Sequence, residues 1–285
     1  MYIDTRSREG MEKSIAVYLD VSVDELYQYI DFAAEKAQGD QWAFNTDIFF
    51  EELETIISDL QPETEIDELL FFHLSRRLHG TEDDVSGRNL ENLFTTGNAL
   101  SDFLRKHQIE FVKGTQNIIT YYKGREVDWE KCWNGNSAYM KSRLGYFKGR
   151  EDYCFNGFAF KDLLYKNQYA RILCDVPEII GQLAECLDCK DVVCDYVQNS
   201  SYYCYEYKIP IERVMFDDHD RYSYSEKQRY LVNCVLERLL QYSGATSTRY
   251  MFDHDNPILR LDDHDILPAE FFVQKELITA DMLRQ

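Results

Sequence analysis

Long apolar runs are absent from this sequence. Nowhere in its 285 residues does a stretch approach the ~18 consecutive apolar residues that a membrane-spanning helix requires. The opening residues also lack the apolar core of a signal peptide, so we expect a cytoplasmic protein. Its eight cysteines are then expected to be reduced thiols. Internal repeats and low-complexity tracts are missing as well, which excludes a repeat protein.

The glycine signatures of several enzyme classes are absent too. No GxSxG elbow occurs, which argues against a Ser-His-Asp hydrolase. Neither a Walker A loop nor a GxGxxG motif is present, so P-loop and Rossmann nucleotide sites lack the glycines that bring backbone to phosphate. Any catalytic site must therefore be assembled from side chains spread along the chain.

Basic residues are scarce relative to acidic ones. The chain has 31 Lys and Arg against 51 Asp and Glu, a formal net charge of −20. With 45% hydrophobic and 14% aromatic residues it can nevertheless build a packed core, which excludes wholesale disorder. A field this negative disfavours binding of extended nucleic acid unless a local basic face exists.

The charge is distributed unevenly along the chain. Residues 1–68 have 18 acidic and 4 basic side chains, residues 69–173 have 12 and 16, and residues 174–285 have 21 and 11. The corresponding net charges are −14, +4 and −10. The mildly basic middle region is therefore where an anionic ligand would be accepted.

The acidic first region has the pattern of a helical domain. Ser22 and Glu25 fit a capping box, with apolar residues following at helical spacing. Asn45 or Thr46 is positioned to cap a second helix, which ends before Pro62. We therefore predict an acidic helical domain over residues 1–65 and a second domain over residues 66–285.

The second domain mixes short strands with helices of unequal length. Strands are predicted for LLFFHL, NIITYY, YCFNGFAF, YYCYEYKIPI and EFFV. Helices are predicted for NLENLF, NALSDFLRKH, EKQRYLVNCVLERLLQY and the segment after Pro177. Strands separated by unequal helices indicate an α+β fold.

A cysteine cluster is one candidate metal site. Cys186 and Cys189 form a CxxC pair, and Cys194 follows closely. A structural zinc site needs a fourth ligand, which Cys174 or a distant histidine would have to supply. Because Cys186 also continues the apolar face of the helix after Pro177, we favour a packing role and no metal.

Three Asp-His-Asp triplets are a second candidate. They are centred on His219, His254 and His264. Carboxylates and imidazoles together bind manganese, zinc or iron. Neighbouring side chains in an extended chain point to opposite sides, however, so one triplet seldom chelates alone. We interpret them as turns.

Three short motifs occur in an informative order. They are His73-x-Ser75 at the end of an apolar strand, Asn89-Leu90 at the start of a helix and Ala269-Glu270 before an apolar strand. In this respect residues 69–285 resemble ADP-ribosyltransferase-like proteins, most nearly the DarT-like branch. The resemblance implies a split β-sheet domain with flanking helices behind the acidic N-terminal segment.

The resemblance also implies NAD as the cofactor and roles for particular residues. Glu270 would stabilise the oxocarbenium-like state formed when the nicotinamide–ribose bond breaks, and His73 would bind ribose and complete the catalytic pair. The other residues expected to contact NAD are Ser75, Asn89, Arg150 at the phosphates, and Tyr153 or Phe155 at the nicotinamide ring. The alternatives are a half-buried core histidine at His73 and a protective edge charge at Glu270.

Two function classes remain open. The first is an ADP-ribosyltransferase of toxin or effector type that modifies a protein or nucleotide acceptor, with the acidic helices recognising a basic partner. The second is a non-enzymatic acidic protein that mimics the DNA surface and blocks a nucleic-acid-binding enzyme, using acids in residues 47–68 and 175–195. A metal-dependent enzyme built on the triplets ranks third.

Overall fold

A computed structural model describes residues 1–39, 43–149 and 152–284, and it confirms the α+β class with 46% helix and 19% strand. The helices are α1 (Arg8–Leu19), α2 (Val23–Ala37), α3 (Thr46–Leu60), α4 (Leu90–Thr95), α5 (Ala99–Lys106), α6 (Ser137–Arg143), α7 (Gln168–Asp175), α8 (Glu178–Cys186), α9 (Asp191–Gln198) and α10 (Tyr224–Gly244). Within the described ranges, no helix has both the length and the apolarity needed to cross a membrane.

The strands form two sheets. They are β1 (Glu68–Leu78), β2 (Ile109–Lys113), β3 (Ile118–Tyr122), β4 (Arg125–Glu126), β5 (Asn156–Phe158), β6 (Ser200–Pro210), β7 (Met215–Phe216), β8 (Ile258–Arg260) and β9 (Phe272–Leu277). The larger sheet has the order β7-β8-β5-β1-β6-β9, and the smaller one the order β2-β3-β4. Strand β9 pairs antiparallel with β6, with Tyr207 opposite Phe272 and an irregularity after Glu206.

Strand β1 changes character along its length. Its residues Leu69, Leu70, Phe71 and Phe72 are all buried, as expected for a central strand covered on both faces. From His73 onward the side chains are mostly half-buried. The second half of β1 is therefore accessible although it lies between β5 and β6.

The described residues group into two compact units. Unit 1 comprises Met1–Phe71, Phe158–Asn167 and Lys208–Leu259, and unit 2 comprises Phe72–Gly157, Gln168–Tyr207 and Arg260–Gln285. Helices α1, α2 and α3 thus belong to the same unit as α10. The division at residue 65 drawn from composition stays a prediction.

Unit 1 is built around α10, against which α1 and α2 pack. The capping box expected at Ser22 and Glu25 is present at the start of α2. The side chain of Asn45 caps α3 by accepting the backbone N–H groups of Asp47 and Ile48. These local contacts fix the helix starts where the sequence placed them.

A buried ion network lies in the same unit. Arg238, only 2% exposed, donates to the carboxylate of Asp253 and lies 3.6 Å from Asp162. Tyr242 donates to Asp162 over 2.8 Å, and Asn256 donates to Asp253 over the same distance. The triplet residue Asp253 therefore neutralises a buried cation, which corrects its interpretation as a simple turn residue.

Unit 2 contains its own apolar core. The core residues come from α4, α5, α6, α8, α9, β2 and β3, and they include Leu90, Phe94, Leu104, Ile109, Ile118, Met140, Ile180, Leu183 and Val192. The CxxC residue Cys189 belongs to this cluster, and Cys186 packs against it. Among the residues that the structure describes, no group of three or more His, Cys, Asp or Glu side chains could hold a metal ion.

Candidate functional site

One face of β1 carries the first predicted motif. His73, Ser75 and Arg77 are separated by two residues each, so in a strand they lie on one face. All three are half-buried, whereas Leu74 between them is buried. A row of accessible polar side chains on a central strand is a site where a ligand can reach the sheet.

The imidazole of His73 is held in one orientation. Its Nδ1 lies 2.7 Å from the carbonyl oxygen of Asn156 in β5. Because a carbonyl only accepts hydrogen bonds, Nδ1 must carry the proton, and Nε2 is left as an acceptor. The ring also packs on Phe155, with centroids 4.1 Å apart.

His73 is neutral at physiological pH. Burial and, to a smaller extent, the positive charge of Arg77 together lower the pKa of His73 to about 3, against the opposing effect of the Asn156 carbonyl. The half-buried ring therefore offers a ligand a neutral acceptor at Nε2. A ribose hydroxyl is the kind of donor that this atom would bind.

A series of aromatic rings connects His73 with the strand that follows Glu270. Phe155 packs edge-on against Tyr207, with centroids 5.8 Å apart, and Tyr207 packs against Phe272 at 6.0 Å. Phe272 is the first residue of β9. The strand that follows the Ala269-Glu270 motif thus packs, through these rings, in the same arrangement as His73 within unit 2.

Glu270 lies just before β9, and the expectation that it opens the strand is wrong. It belongs to a 3₁₀ turn over Ala269–Phe271, and the N–H of Phe271 donates to the Pro268 carbonyl over 3.3 Å. Pro268 has a restricted φ and no N–H, which delays ladder pairing until Phe272. Glu270 is exposed, and its carboxylate makes no hydrogen bond or ion pair with the described residues.

Two further predicted ligand contacts, Asn89 and Ser75, have neighbours within the chain. Asn89 is 4% exposed, and its Oδ1 caps α4 by accepting the N–H of Asn92 over 2.7 Å. Its Nδ2 donates to the carbonyl of Asp265 over 3.4 Å. The hydroxyl of Ser75 lies 3.5 Å from the Arg76 carbonyl, so that side chain remains near the accessible face of β1.

Of the two aromatic candidates, only Phe155 packs on His73. Tyr153 is buried in the unit 2 core, where its hydroxyl approaches Gly145 so closely that a Cβ there would lie 1.9 Å away. Gly145 has a φ of +76°, a conformation that glycine adopts without strain. The predicted phosphate contact Arg150 lies outside the described residues.

The two arginines after Ser75 have different surroundings. Arg76 points to the opposite face of β1, where its guanidinium donates to the backbone carbonyls of Cys174, Val197 and Ser200. Arg77 lies over the ring of Tyr205, with its Cζ 5.0 Å from the centroid. The two-residue alternation of a strand places these two arginines on opposite faces of β1.

An acidic loop covers the tyrosines beside Arg77. We call residues 80–88 the strap. The hydroxyl of Tyr205 donates to the carbonyl of Glu82, and that of Tyr207 to the carbonyl of Val85, each over 3.0 Å. Lys275 of β9 donates to the same Glu82 carbonyl over 2.8 Å. The strap is therefore attached to β6 and to β9.

The strap is also joined to the segment that leads to Glu270. Gly87 and Leu267 exchange two backbone hydrogen bonds of 2.9 and 2.8 Å. A Cβ at residue 87 would lie 2.7 Å from the Phe155 ring and 2.8 Å from Leu267. Glycine is thus required for this close approach.

A separate cavity of about 400 Å³ contains none of the predicted site residues. It is lined by Glu126, Val127, Asp128, Trp129, Glu130, Lys141 and Tyr146.

Comparison of the chain with protein-family models, with curated proteins and with solved structures finds no match. The function must therefore be inferred from the chemistry of the β1 face.

Proposed function

We propose that this chain is an NAD-dependent ADP-ribosyltransferase with a split-sheet domain of the ADP-ribosyltransferase type, nearest the DarT-like branch. One observation carries the proposal. His73 is a neutral, oriented acceptor on a central strand, and aromatic packing connects it with the strand that directly follows the free carboxylate of Glu270.

The chemistry of these two residues suits transfer from NAD. The reaction breaks the bond between nicotinamide and ribose, while an acceptor forms a new bond to the same ribose carbon. A carboxylate at Glu270 would stabilise the positive charge that develops on the ribose. The Nε2 atom of His73 would accept a hydrogen bond from a ribose hydroxyl and hold the sugar in place.

The acceptor is proposed to be a protein or a small nucleotide. A net charge of −20 disfavours a long phosphate backbone across the surface. In unit 1, helix α3 carries five acidic residues and no basic one, and only Phe49 and Leu53 of it are buried. This exposed acidic helix would recognise a basic partner, as expected for a cytoplasmic toxin or effector.

The proposal is tested with radiolabelled NAD. We expect the wild-type protein to release nicotinamide and to melt at a higher temperature with NAD than without it. Glu270→Gln should abolish release while keeping the thermal shift, because the amide removes the charge and keeps the shape. Glu110→Gln, an exposed acid on β2 of the same unit, is the control and should behave as wild type.

Two outcomes would contradict the proposal. One is the absence of both NAD turnover and an NAD-dependent thermal shift in the wild-type protein. The other is equal turnover in wild type and Glu270→Gln, which would leave the carboxylate without a role.

A second candidate function is supported by helix α3. Its acids Asp47, Glu51, Glu52, Glu54 and Asp59 have no basic neighbour within the helix, as a protein that mimics DNA phosphates would require. Binding to a strongly basic DNA-binding protein should then weaken steeply with salt. It should also weaken when Glu51, Glu52 and Glu54 are changed to Gln. The matched control changes the exposed acids Glu110, Glu126 and Asp281, which lie outside both acidic segments, to amides. Equal loss in both variants would contradict this function.

A further inference from the structure

Arg77 is a half-buried cation that no carboxylate neutralises. Its Nε is buried and has no hydrogen-bond partner, and across the described ranges it forms no ion pair with Asp or Glu. Its guanidinium contacts Tyr205, and its charge also acts on Tyr196, Tyr207 and His73. These neighbours are neutral, so the charge remains uncompensated.

Three other arginines of unit 2 have an ion pair or carbonyl acceptors, although the Nε of Arg143, like that of Arg77, is buried without a hydrogen-bond partner. Arg76 donates to three backbone carbonyls, and Arg143 pairs with Asp152. Arg88 pairs with Asp84 over 2.8 Å. Desolvating a guanidinium without an anion costs free energy, so an exception of this kind needs a reason.

The acids nearest to Arg77 in sequence are committed elsewhere. In the strap, Glu82 accepts the N–H of Gly80 over 2.8 Å, and Asp83 pairs with Lys275 over 2.7 Å. Asp84 is the partner of Arg88. The three carboxylates of the strap therefore lie close to Arg77 in the sequence, but none of them forms an ion pair with it.

We propose that Arg77 is the anion subsite of the β1 face and that it binds a diphosphate group. The planar guanidinium presents paired N–H donors that match phosphate oxygens, and its orphaned Nε–H is one such donor. The assignment of this diphosphate to NAD rests on the proposed function. The anion subsite itself does not depend on that function.

The position of Arg77 suits a dinucleotide that also contacts His73. They are four positions apart on one face of β1, which corresponds to about 13 Å along a strand. Ser75 lies between them on the same face. A ligand with its sugar at His73 and its phosphates at Arg77 would follow the strand through the basic middle region of the sequence.

The subsite is tested by isothermal titration with inorganic pyrophosphate. We expect wild type to bind it and Arg77→Gln to bind at least about tenfold more weakly, because one charged hydrogen-bonding partner is lost. Arg77→Lys keeps the charge without the planar fork and should lie between them. Arg105→Gln, which removes a surface cation paired with Asp102, should bind as wild type.

A second readout separates binding from a purely structural role. Pyrophosphate at Arg77 should raise the pKa of His73 in an NMR titration of wild type, because it offsets the nearby positive charge. In Arg77→Gln, pyrophosphate should leave the His73 pKa unchanged. Equal pyrophosphate affinity in wild type and Arg77→Gln, or no binding to wild type, would overturn the subsite.

The same variants distinguish failure of the subsite from failure of the proposed function. Glu270→Gln should bind pyrophosphate as wild type does, because Glu270 is assigned to the ribose. Pyrophosphate binding that depends on Arg77, without any NAD turnover, would remove the transferase function and keep the subsite. Unchanged NAD affinity and turnover in Arg77→Gln would overturn the assignment of Arg77 to the diphosphate of NAD and keep the transferase.

Discussion

Arg238 in unit 1 and Arg77 in unit 2 are two inward-facing guanidinium groups with opposite surroundings. Arg238 has Asp253 and Asp162 as counter-ions, and Tyr242 and Asn256 each donate a hydrogen bond to one of those carboxylates. Arg77 has tyrosine rings and an uncharged histidine around it. Arg238 therefore has its counter-ions within the chain, whereas Arg77 lacks an anion. The difference separates a charge that stabilises the fold from one available to a ligand.

The largest expected effect comes from breaking the buried ion network of Arg238. Asp253→Ala would leave Arg238 buried beside Asp162 alone, and removing one partner of a buried ion pair typically costs about 3–5 kcal/mol. Urea denaturation should therefore show a much lower free energy of unfolding. Arg77→Gln should change the free energy of unfolding by less than about 1 kcal/mol, since no counter-ion is stranded. Equal destabilisation by the two variants would contradict the comparison.

The next effect concerns catalysis. If Glu270 stabilises transition-state charge, Glu270→Gln should reduce NAD turnover by about 10²–10³-fold. The side chain is exposed, so the unfolding free energy should stay within about 0.5 kcal/mol of wild type. A thermal melt run beside the turnover assay checks both statements. Loss of turnover together with a large loss of stability would indicate a structural role.

A smaller effect is expected in the pH dependence of stability. The pKa of His73 is about 3 in the folded protein and 6.5 in the reference state, so the unfolded chain binds more protons between those values. The stabilising contribution of His73 is complete above about pH 6.5 and is lost as the pH falls toward 3, with a slope approaching about 1.4 kcal/mol per pH unit.

His73→Gln should therefore flatten the fall in unfolding free energy between pH 7 and pH 5. Urea titrations of both proteins at several pH values measure this difference. The exposed histidine variant His264→Gln is the control and should keep the wild-type slope. A wild-type slope in His73→Gln would show that the imidazole titrates freely.

The smallest effect distinguishes a cap from a ligand contact. Asn89→Ala should cost about 1 kcal/mol of stability by removing the side-chain cap of α4, and Asn89→Ser should recover most of it. NAD affinity, measured by calorimetry, should be similar in the two variants. Loss of NAD affinity in Asn89→Ser despite restored stability would return Asn89 to the binding site.

Features encoded by local chemistry were predictable from the sequence. The capping box at Ser22 and Glu25 depends on residues three apart, and α10 follows from its apolar periodicity. The hairpin of β2 and β3 likewise follows from its alternating residues. In each case the deciding contacts are made by neighbours in the chain.

Long-range partners were not predictable. Nothing around Asp253 in the sequence indicates that Arg238 is its counter-ion, because their pairing depends on how α10 packs in unit 1. The grouping of residues 158–167 with the N-terminal helices is equally invisible in composition. The Ala269-Glu270 motif could be recognised in the sequence, but the 3₁₀ turn that follows Pro268 was not predicted.

The arginines of β1 are an intermediate case. Strand alternation already places Arg77 on the face of His73 and Arg76 on the other. The sequence does not show that Arg76 meets three carbonyls while Arg77 meets no carboxylate. Which cation is free to bind depends on the elements packed on each face.

Because Gly87 has no side chain, the packing beside the β1 face is sensitive to any substitution at this position. The strap, the Phe155 ring beside His73 and the chain leading to Glu270 are in contact at this one position. A single added methyl group would push the ring and the Leu267 segment apart without altering any charge. The spacing of the histidine and the glutamate is therefore set partly by a residue with no chemistry of its own.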